Sequence, residues 1–220
     1  MLVLAACFRL ALWQLDRADE KQVLIDQWEH APAASLLPDQ RHEDYTRVSA
    51  RGRFDPSRTI LLDNQVRNNH PGVHVFTPFQ PEASEHIFLV NRGWQPFERR
   101  SGQWPQFDTP EALIEIDGRI SPPPRVGLQL GQALPLDRQN WPNLMTYFDI
   151  ERIQEALGPQ VSARVILLDP DHPAHLSGDP WRLINMGPER HVGYAFQWGS
   201  IGLAVLTLWI ILTVRSLRRR

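Results

Sequence analysis

Residues 192–214 read VGYAFQWGSIGLAVLTLWIILTV, a stretch of 23 residues that carries no charge. As a helix it extends about 34 Å, at about 1.5 Å per residue. This length is enough to cross the hydrocarbon core of a bilayer, which is about 30 Å thick. The sequence therefore predicts a transmembrane helix at 191–214.

The charges that flank this helix predict its orientation. Segment 215–220 carries four arginines, whereas Glu189, Arg190 and His191 precede the apolar stretch. Clusters of basic residues next to a span are retained on the cytoplasmic side of the membrane. We therefore expect a cytoplasmic basic tail at 215–220 and expect the preceding polar bulk of the chain to lie outside the cytoplasm.

A second apolar segment occupies residues 1–15. It is interrupted by Arg9 and Gln14 and is shorter than the roughly 17 residues that a span usually needs. A cleaved signal peptide is disfavoured because a basic region before the apolar run and a small-residue cleavage site are both missing. We expect a truncated first transmembrane helix; a segment lying on the bilayer surface is the alternative.

The residues between the two apolar segments are sufficient for one domain with its own core. The formal net charge of −2, without a basic stripe, gives no electrostatic case for nucleic acid as a partner. The single cysteine, Cys7, excludes an intrachain disulfide and a cysteine metal cluster.

The middle of the chain reads as strands more often than as helices. In 45–54, apolar or small residues alternate with arginines and other polar residues, a pattern typical of a half-buried strand. One short helix is predicted at 150–157, with Asp149 as its N-cap and Gly158 at its end. Further strands are predicted at 59–62, 73–79, 86–94, 112–120, 144–148 and 161–168.

Short turns between these strands, with few helices, indicate an antiparallel sheet or a partly closed barrel. The predicted fold class is α+β: a membrane protein with a mainly antiparallel β domain outside the membrane. The predicted domains are a transmembrane segment at 1–15, a periplasmic β-rich domain at 16–190, a transmembrane helix at 191–214 and the tail at 215–220.

Three aromatic residues form the first candidate site. His191, Tyr194 and Trp198 project from one side of the predicted C-terminal helix, and small residues on that side leave a shallow trough. A flat macrocycle or a neighbouring helix fits such a trough. Neutral imidazole is a good axial ligand of haem iron. The alternative is an interfacial belt, where Tyr and Trp are enriched.

The second candidate site is the run Asn91-Arg92-Gly93-Trp94, which follows an apolar strand. An arginine and a tryptophan at the rim of a sheet are suited to carboxylate groups or to a partner protein. Structurally, the same residues are consistent with a turn in which Gly93 has positive φ and Trp94 packs over the sheet edge.

The third candidate site consists of Asp169, Asp171, His172 and His175, which are residue types that bind metal ions. The surrounding prolines interrupt helix and strand, so no regular spacing holds these side chains on one face; a solvated loop is the alternative. The sequence contains no GxSxG, HExxH, Walker A or GxGxxG motif, so we do not expect an enzyme.

Together, these motifs resemble the SURF1/Shy1 family in order and spacing. The resemblance covers nearly the whole chain and includes the layout of a span, an extramembrane domain and a closing span. The residues that carry it are Trp13, Gln14 and Arg17, then Asn91-Arg92-Gly93-Trp94, then Asn185 and the run 190–198.

The resemblance implies an assembly factor for haem-copper terminal oxidases, chiefly cytochrome c oxidase, that assists the insertion of haem a into the catalytic subunit. His191 matches a histidine that is implicated in holding haem, and Tyr194 and Trp198 would line the macrocycle. The implied partners are the catalytic subunit, haem a synthase and membrane lipid. Support of the fold or docking is implied for Trp13, Gln14, Arg17, Asn91, Arg92, Gly93 and Trp94.

Two other functions remain open at this point. One is a membrane scaffold that binds the nascent oxidase subunit without touching haem; the other is a membrane-tethered sensor or solute-binding domain. Because no Arg-rich and Ser-rich presequence precedes the first apolar segment, a bacterial inner membrane is expected rather than a mitochondrial one.

Overall fold

The computed structural model describes residues 2–35, 43–124 and 135–219; Met1 and Arg220, which belong to the predicted first segment and basic tail, lie outside it. The chain divides into two compact units. Residues 1–30 and 182–220 form a helical unit, and residues 31–181 form a β unit.

The described elements follow one another along the chain with one short helix among the strands. They are α1 (Leu2–Glu29), β1 (Ala33–Ser35), β2 (Arg47–Phe54), β3 (Ile60–Leu62), β4 (Gly72–Pro81), β5 (Ile87–Pro96), β6 (Ile114–Ser121), β7 (Asn143–Met145), α2 (Ile150–Leu157), β8 (Val161–Leu168) and α3 (Pro188–Arg218).

The helical unit consists of α1 and α3. Pro188 opens α3, at a position where the missing N–H of proline costs no intrahelical hydrogen bond. Within the described residues, α3 alone is long and apolar enough to cross a membrane. Arg9 and the charges that begin at Asp16 lower the hydropathy of α1, so a membrane span in α1 is not confirmed.

Small side chains bring the two helices together. Gly202 of α3 is buried, and a Cβ atom at this position would lie 3.3 Å from Cβ of Cys7 in α1. Ala18 of α1 and Ala195 of α3 are also buried. Because glycine and alanine allow helix backbones to approach closely, this is the packing expected of paired helices in a membrane.

The β unit is a mainly antiparallel sheet that closes on itself. The strand order is β1-β2-β6-β8-β5-β4-β3-β7, and an additional pairing of β2 with β4 closes five strands into a ring. The predicted antiparallel character is confirmed for most pairs, but β1 with β2, β3 with β7 and β5 with β8 are parallel.

The alternation predicted for 45–54 is present in β2. Val48, Gly52 and Phe54 are buried, whereas Arg47, Arg51 and Arg53 are exposed. Helix α2 has the predicted bounds, and the side chain of Asp149 accepts a hydrogen bond from the N–H of Arg152. Strand β1, only three residues long, was not predicted from the sequence.

Two apolar clusters lie on opposite faces of the ring. One draws on all five ring strands and forms the interior of the barrel, with Phe54, Phe79, Phe88 and Ile116 among its members. The other contains side chains from the opposite faces of β4, β5 and β8 together with Ile153 of α2. Helix α2 therefore covers the outside of the barrel.

The barrel wall predicts the effect of one substitution. A Cβ atom at Gly118 in β6 would lie 2.8 Å from Cγ2 of Ile166 and 2.5 Å from the carbonyl oxygen of Leu167. Overpacking of this kind costs about 1 to 3 kcal/mol. We expect Gly118→Ala to lower the midpoint of thermal unfolding of the β unit by several degrees, measured by near-UV circular dichroism in detergent.

The control is Asp117→Asn, at the exposed neighbouring position in β6. This variant should unfold within about a degree or two of the unmodified protein, as surface substitutions usually do. Equal midpoints for the two variants would contradict the proposed packing at Gly118.

Candidate functional site

Gln14 and His191 form a buried hydrogen-bonded pair in the helical unit. Nδ1 of His191 lies 2.7 Å from Oε1 of Gln14, and the histidine is only 4% exposed. Both residues lie on the faces that α1 and α3 turn towards each other. The helix pair therefore places together two residues that are 177 positions apart in the sequence.

This hydrogen bond has a chemical consequence for the imidazole. An amide oxygen only accepts, so Nδ1 of His191 carries the hydrogen and Nε2 keeps its lone pair. Metal-ligating histidines are oriented in this way, with the second ring nitrogen donating to an oxygen. An imidazole that donates to Gln14 through Nδ1 keeps Nε2 available as a ligand atom.

The other two aromatic candidates on α3 lie in different surroundings. Tyr194 is 46% exposed, whereas Trp198 is half-buried and lines an apolar cavity of about 490 Å³ in the helical unit. Neither His191 nor Tyr194 lines this cavity. The other lining residues are Leu4, Ala5, Phe8 and Ala11 of α1 and Gly199, Gly202, Leu203 and Leu206 of α3.

Helix α1 therefore occupies the predicted trough along α3, as the neighbouring-helix alternative predicted. Part of the trough remains open as the cavity beside Trp198.

On α1, Gln14 is the one residue of the motif Trp13, Gln14 and Arg17 that is buried. Trp13 is half-exposed, and the guanidinium of Arg17 lies 5.8 Å from the Trp13 ring and 2.7 Å from Glu20.

Arg92 does not lie at the rim of the sheet, where one interpretation of the sequence placed a cation. Its side chain is 1% exposed, within β5 of the β unit. Nε donates to the carbonyl of Ala174 at 3.0 Å, and the terminal nitrogens donate to Oγ1 of Thr109 and to the carbonyl of Asp108. Burial lowers the pKa of Arg92 to about 10, which leaves it charged at neutral pH.

Neutral oxygens thus satisfy the Arg92 guanidinium, and the rings of Phe54 and Phe107 lie 5.4 and 5.8 Å from it. The side chain fastens β5 to two separate segments, 108–109 and 174–176. Leu176 also donates its backbone N–H to the carbonyl of Arg92. Arg92 is unsuited to meet carboxylate groups of a ligand, because it lies inside the fold.

Gly93 has positive φ, +106°, as the structural alternative predicted, but within β5 rather than in a turn. The β4 and β5 registers shift between the pairs His74 with Trp94 and Phe76 with Asn91, which leaves one extra residue on β5. This is a β-bulge, where glycine tolerates the backbone conformation. Oδ1 of Asn91 accepts from the N–H of Gly93 at 3.1 Å.

Trp94 packs over the neighbouring strand, against Gly72. Its Nε1 donates to the carbonyl of Gln65 at 2.6 Å. Asn91 contacts Nδ1 of His74 at 3.2 Å through its amide nitrogen. Asn91, Arg92 and Trp94 therefore each hold a neighbouring segment of the β unit in place, and Gly93 forms the bulge between them.

The acidic and histidine residues of 169–175 do not assemble into a metal site. Among the residues that the structure describes, no group of three His, Cys, Asp or Glu side chains is placed to hold a metal ion. His172 contacts the carbonyl of Glu115 at 2.9 Å, and Nδ1 of His175 accepts from the N–H of Gly178 at 2.8 Å. His172 thus contacts the backbone of β6, and His175 contacts the backbone of its own loop.

Sequence reasoning missed two features of the β unit. His74 packs with His175 against Trp181, and burial, with Arg67 and His175 nearby, lowers the pKa of His74 to about 4. In addition, Arg47 and Arg119 are direct cross-strand partners that line a cleft of about 750 Å³. The alternation in β2 predicted that Arg47 is exposed. Its neighbour Arg119 could not be predicted, because the pairing depends on the register between β2 and β6.

The environment of Arg92 predicts a local loosening when its side chain is removed. Each buried acceptor left without a donor costs about 1 to 3 kcal/mol. We expect Arg92→Met to speed amide hydrogen exchange in 172–178 by about tenfold or more, since 1.4 kcal/mol corresponds to a factor of ten. Mass spectrometry of peptides from this segment measures the effect.

Arg53→Met is the matched control, because Arg53 is exposed and donates to a single carbonyl, that of Glu111, at 3.3 Å. It should leave exchange in 172–178 unchanged. If both variants exchange alike in that segment, Arg92 does not anchor it.

The chain was also compared with known proteins. A model of the SURF1 family matches residues 1–203. The chain is 27% identical to a SURF1-like protein of Drosophila melanogaster over 231 residues (95% of this chain, 74% of that protein). It is 23% identical to Surfeit locus protein 1 of Homo sapiens over 233 residues (95% and 74%).

It is also 26% identical to a SURF1-like protein of Caenorhabditis elegans over 179 residues, 77% of this chain. The match spans about half of that relative's length, 52%. The family model, by contrast, matches far more than half of the chain described above. The chain therefore belongs to the SURF1 family.

Proposed function

We propose that this chain is an assembly factor for a haem-copper terminal oxidase, chiefly cytochrome c oxidase, and that it holds haem a on the way to the catalytic subunit. Family membership supports the first part. The observation that carries the second part is the Gln14–His191 hydrogen bond, which leaves Nε2 of His191 with its lone pair.

The residues of the helical unit fit haem in two respects. His191 has the tautomer of an axial ligand, and the apolar cavity beside Trp198 suits the edge of a porphyrin. When bound, haem a would supply the redox-active group that the oxidase needs. Trp198 lies about 10 Å along α3 from His191, at about 1.5 Å per residue.

Burial of His191 sets a condition on this role. The imidazole is only 4% exposed, so most of its surface is covered within the helical unit. Loading therefore requires that α1 shift away from α3 near Gln14, and return of α1 would favour release. Contact with the catalytic subunit, or with haem a synthase, would act on this equilibrium. The chain is proposed as a carrier and not as an enzyme.

The proposed location is the bacterial inner membrane. Helix α3 would cross the bilayer, with Arg215, Arg218 and Arg219 in the cytoplasm and the β unit in the periplasm. Helix α1 would be the second membrane segment, since its apolar first half packs on α3 within the same unit. Arg9 would then snorkel towards an interface.

A scaffold that binds the nascent catalytic subunit without holding haem is the second candidate. The burial of His191 favours it, because in the present arrangement of α1 and α3 the imidazole is a structural partner of Gln14. The buried anchors Asn91 and Arg92 then shape a rigid β unit for docking.

Haem content of variants separates the two candidates. The full chain is purified in detergent after co-production with a haem a synthase, and its absorbance is measured per mole of protein. We expect His191→Ala to lose the haem absorbance, because no other atom at this position offers a lone pair to iron. Gln14→Leu should weaken haem binding about 10- to 100-fold, as loss of a ligand's orienting partner does.

His86→Ala is the matched control, since His86 is an exposed histidine of the β unit; it should keep full haem content. Unchanged haem in His191→Ala would exclude His191 as the ligand. Absence of haem from every form, with the catalytic subunit still co-purifying, would establish the scaffold.

Membrane topology is tested with single cysteines in a Cys7→Ser background. In intact spheroplasts, a membrane-impermeant maleimide should label Ala83→Cys, in the turn between β4 and β5, but should not label Ser216→Cys at the end of α3. Both should be labelled after lysis. Labelling of Ser216→Cys alone in intact cells would reverse the proposed orientation.

A further inference from the structure

Exposed large apolar side chains are unevenly distributed over the chain. In the described part of the β unit only two occur, Val66, 71% exposed, and Trp104, 43% exposed; all the others lie on α1 and α3. A soluble domain carries single exposed apolar residues without consequence. Here, however, both belong to loops that leave the same end of the β4–β5 hairpin.

The two loops are 63–71, before β4, and 97–104, after β5. Gly72 and Pro96 are paired at the end of the hairpin, and Phe97 donates its N–H to the carbonyl of Pro71 at 3.2 Å. A guanidinium nitrogen of Arg99 lies 3.8 Å from a carboxylate oxygen of Asp63. We call the surface formed by these two loops the loop pair.

Both apolar side chains of the loop pair are held by rigid neighbours. The ring of Trp104 stacks on the buried ring of Phe97, with centroids 5.8 Å apart and planes at 4°. The segment around Val66 is fixed because the carbonyl of Gln65 accepts from the indole of Trp94. The loop pair therefore presents its apolar groups without having to order them on contact.

Cations accompany these apolar groups. Arg99 and Arg100 are exposed, on the turn that precedes Trp104, with Glu98 as the adjacent carboxylate. Arg100 makes no ion pair with any residue in the described ranges. Tryptophan, an aliphatic side chain and arginine are the combination found where a protein meets lipid headgroups, since indole and guanidinium suit that boundary.

We propose that the loop pair is a membrane-contact surface of the β unit, which inserts Trp104 and Val66 into the headgroup region and places Arg99 and Arg100 against anionic lipid phosphates. The inference rests on the proposed anchorage of the chain in a membrane, which keeps a bilayer within reach. Two apolar side chains are too few for the core of a stable protein interface, which buries about 800 Å² on each partner.

The test uses the full chain with Cys7→Ser, in nanodiscs that contain phosphatidylglycerol and a headgroup nitroxide lipid. A fluorophore is attached at Val66→Cys or, as control, at Ala83→Cys in the turn at the opposite end of the hairpin, about 33 Å away at about 3.3 Å per residue. We expect the nitroxide to quench the label at position 66 several-fold more strongly than the label at position 83.

Two variants test the chemistry of the contact in the Val66→Cys background. Trp104→Ala and the double substitution Arg99→Gln/Arg100→Gln should each reduce quenching, and the double substitution should do so only in nanodiscs with phosphatidylglycerol. Equal quenching at positions 66 and 83 would overturn the proposal, as would a double variant that behaves like the parent. A partner protein covering the loop pair would give that equality.

A label at Leu208→Cys, in the apolar part of α3, separates this proposal from the proposed anchorage. With acyl-chain nitroxide lipid, strong quenching at position 208 shows that the helix is inserted. If position 208 is quenched and position 66 is not, the anchorage stands and the membrane-contact surface is refuted. If neither is quenched, both are refuted.

Discussion

The β unit depends on a buried cation, Arg92, whose side-chain hydrogen bonds go to neutral oxygens. Removing the guanidinium of Arg92 from water is costly, and the cost is offset because neutral oxygens and aromatic rings surround it. The oxygens come from segments far apart in the chain, so the guanidinium organises β5, residues 108–109 and the segment after β8 together. The bulge at Gly93 lies beside this anchor, and Asn91 and Trp94 fasten further neighbours. The motif 91–94 is thus primarily an organiser of the fold.

The helical unit applies the same principle with one hydrogen bond. Gln14 and His191 satisfy each other inside a pair of helices that also approach each other at Gly202 and Cys7. A single polar pair in such surroundings fixes the register of two helices, because sliding by a turn would leave both groups without partners. The same bond selects the tautomer of the imidazole. The proposed ligand role of His191 would compete with its structural role as the partner of Gln14, and this competition underlies the two candidate functions.

Local patterns in the sequence predicted most of the elements. The alternation of apolar and polar residues predicted β2, and the Asp149 cap together with Gly158 predicted the bounds of α2. Both signals act within a few residues. The antiparallel sheet followed from short turns. The parallel pairing of β5 with β8 depends on how distant strands meet, and three-residue β1 offers too few residues for a period to show. For the sites, one interpretation of the sequence placed Arg92 at the rim of the sheet. Its burial was not foreseen, because the groups that accept its hydrogen bonds lie up to 82 positions away in the chain. The partner of His191 is more remote still, 177 positions away, so Gln14 was identified only through the resemblance to a family.

The ring order has a consequence for biogenesis. Strand β8 sits between β5 and β6, yet it is the last strand to be made. Until residue 168 is available, β5 and β6 each keep one unpaired edge, and contacts so distant in sequence form slowly. During synthesis, the incomplete barrel would thus expose unpaired strand edges that can pair with other chains. A polypeptide with this strand order has reason to recruit a holding chaperone until its final strand is made.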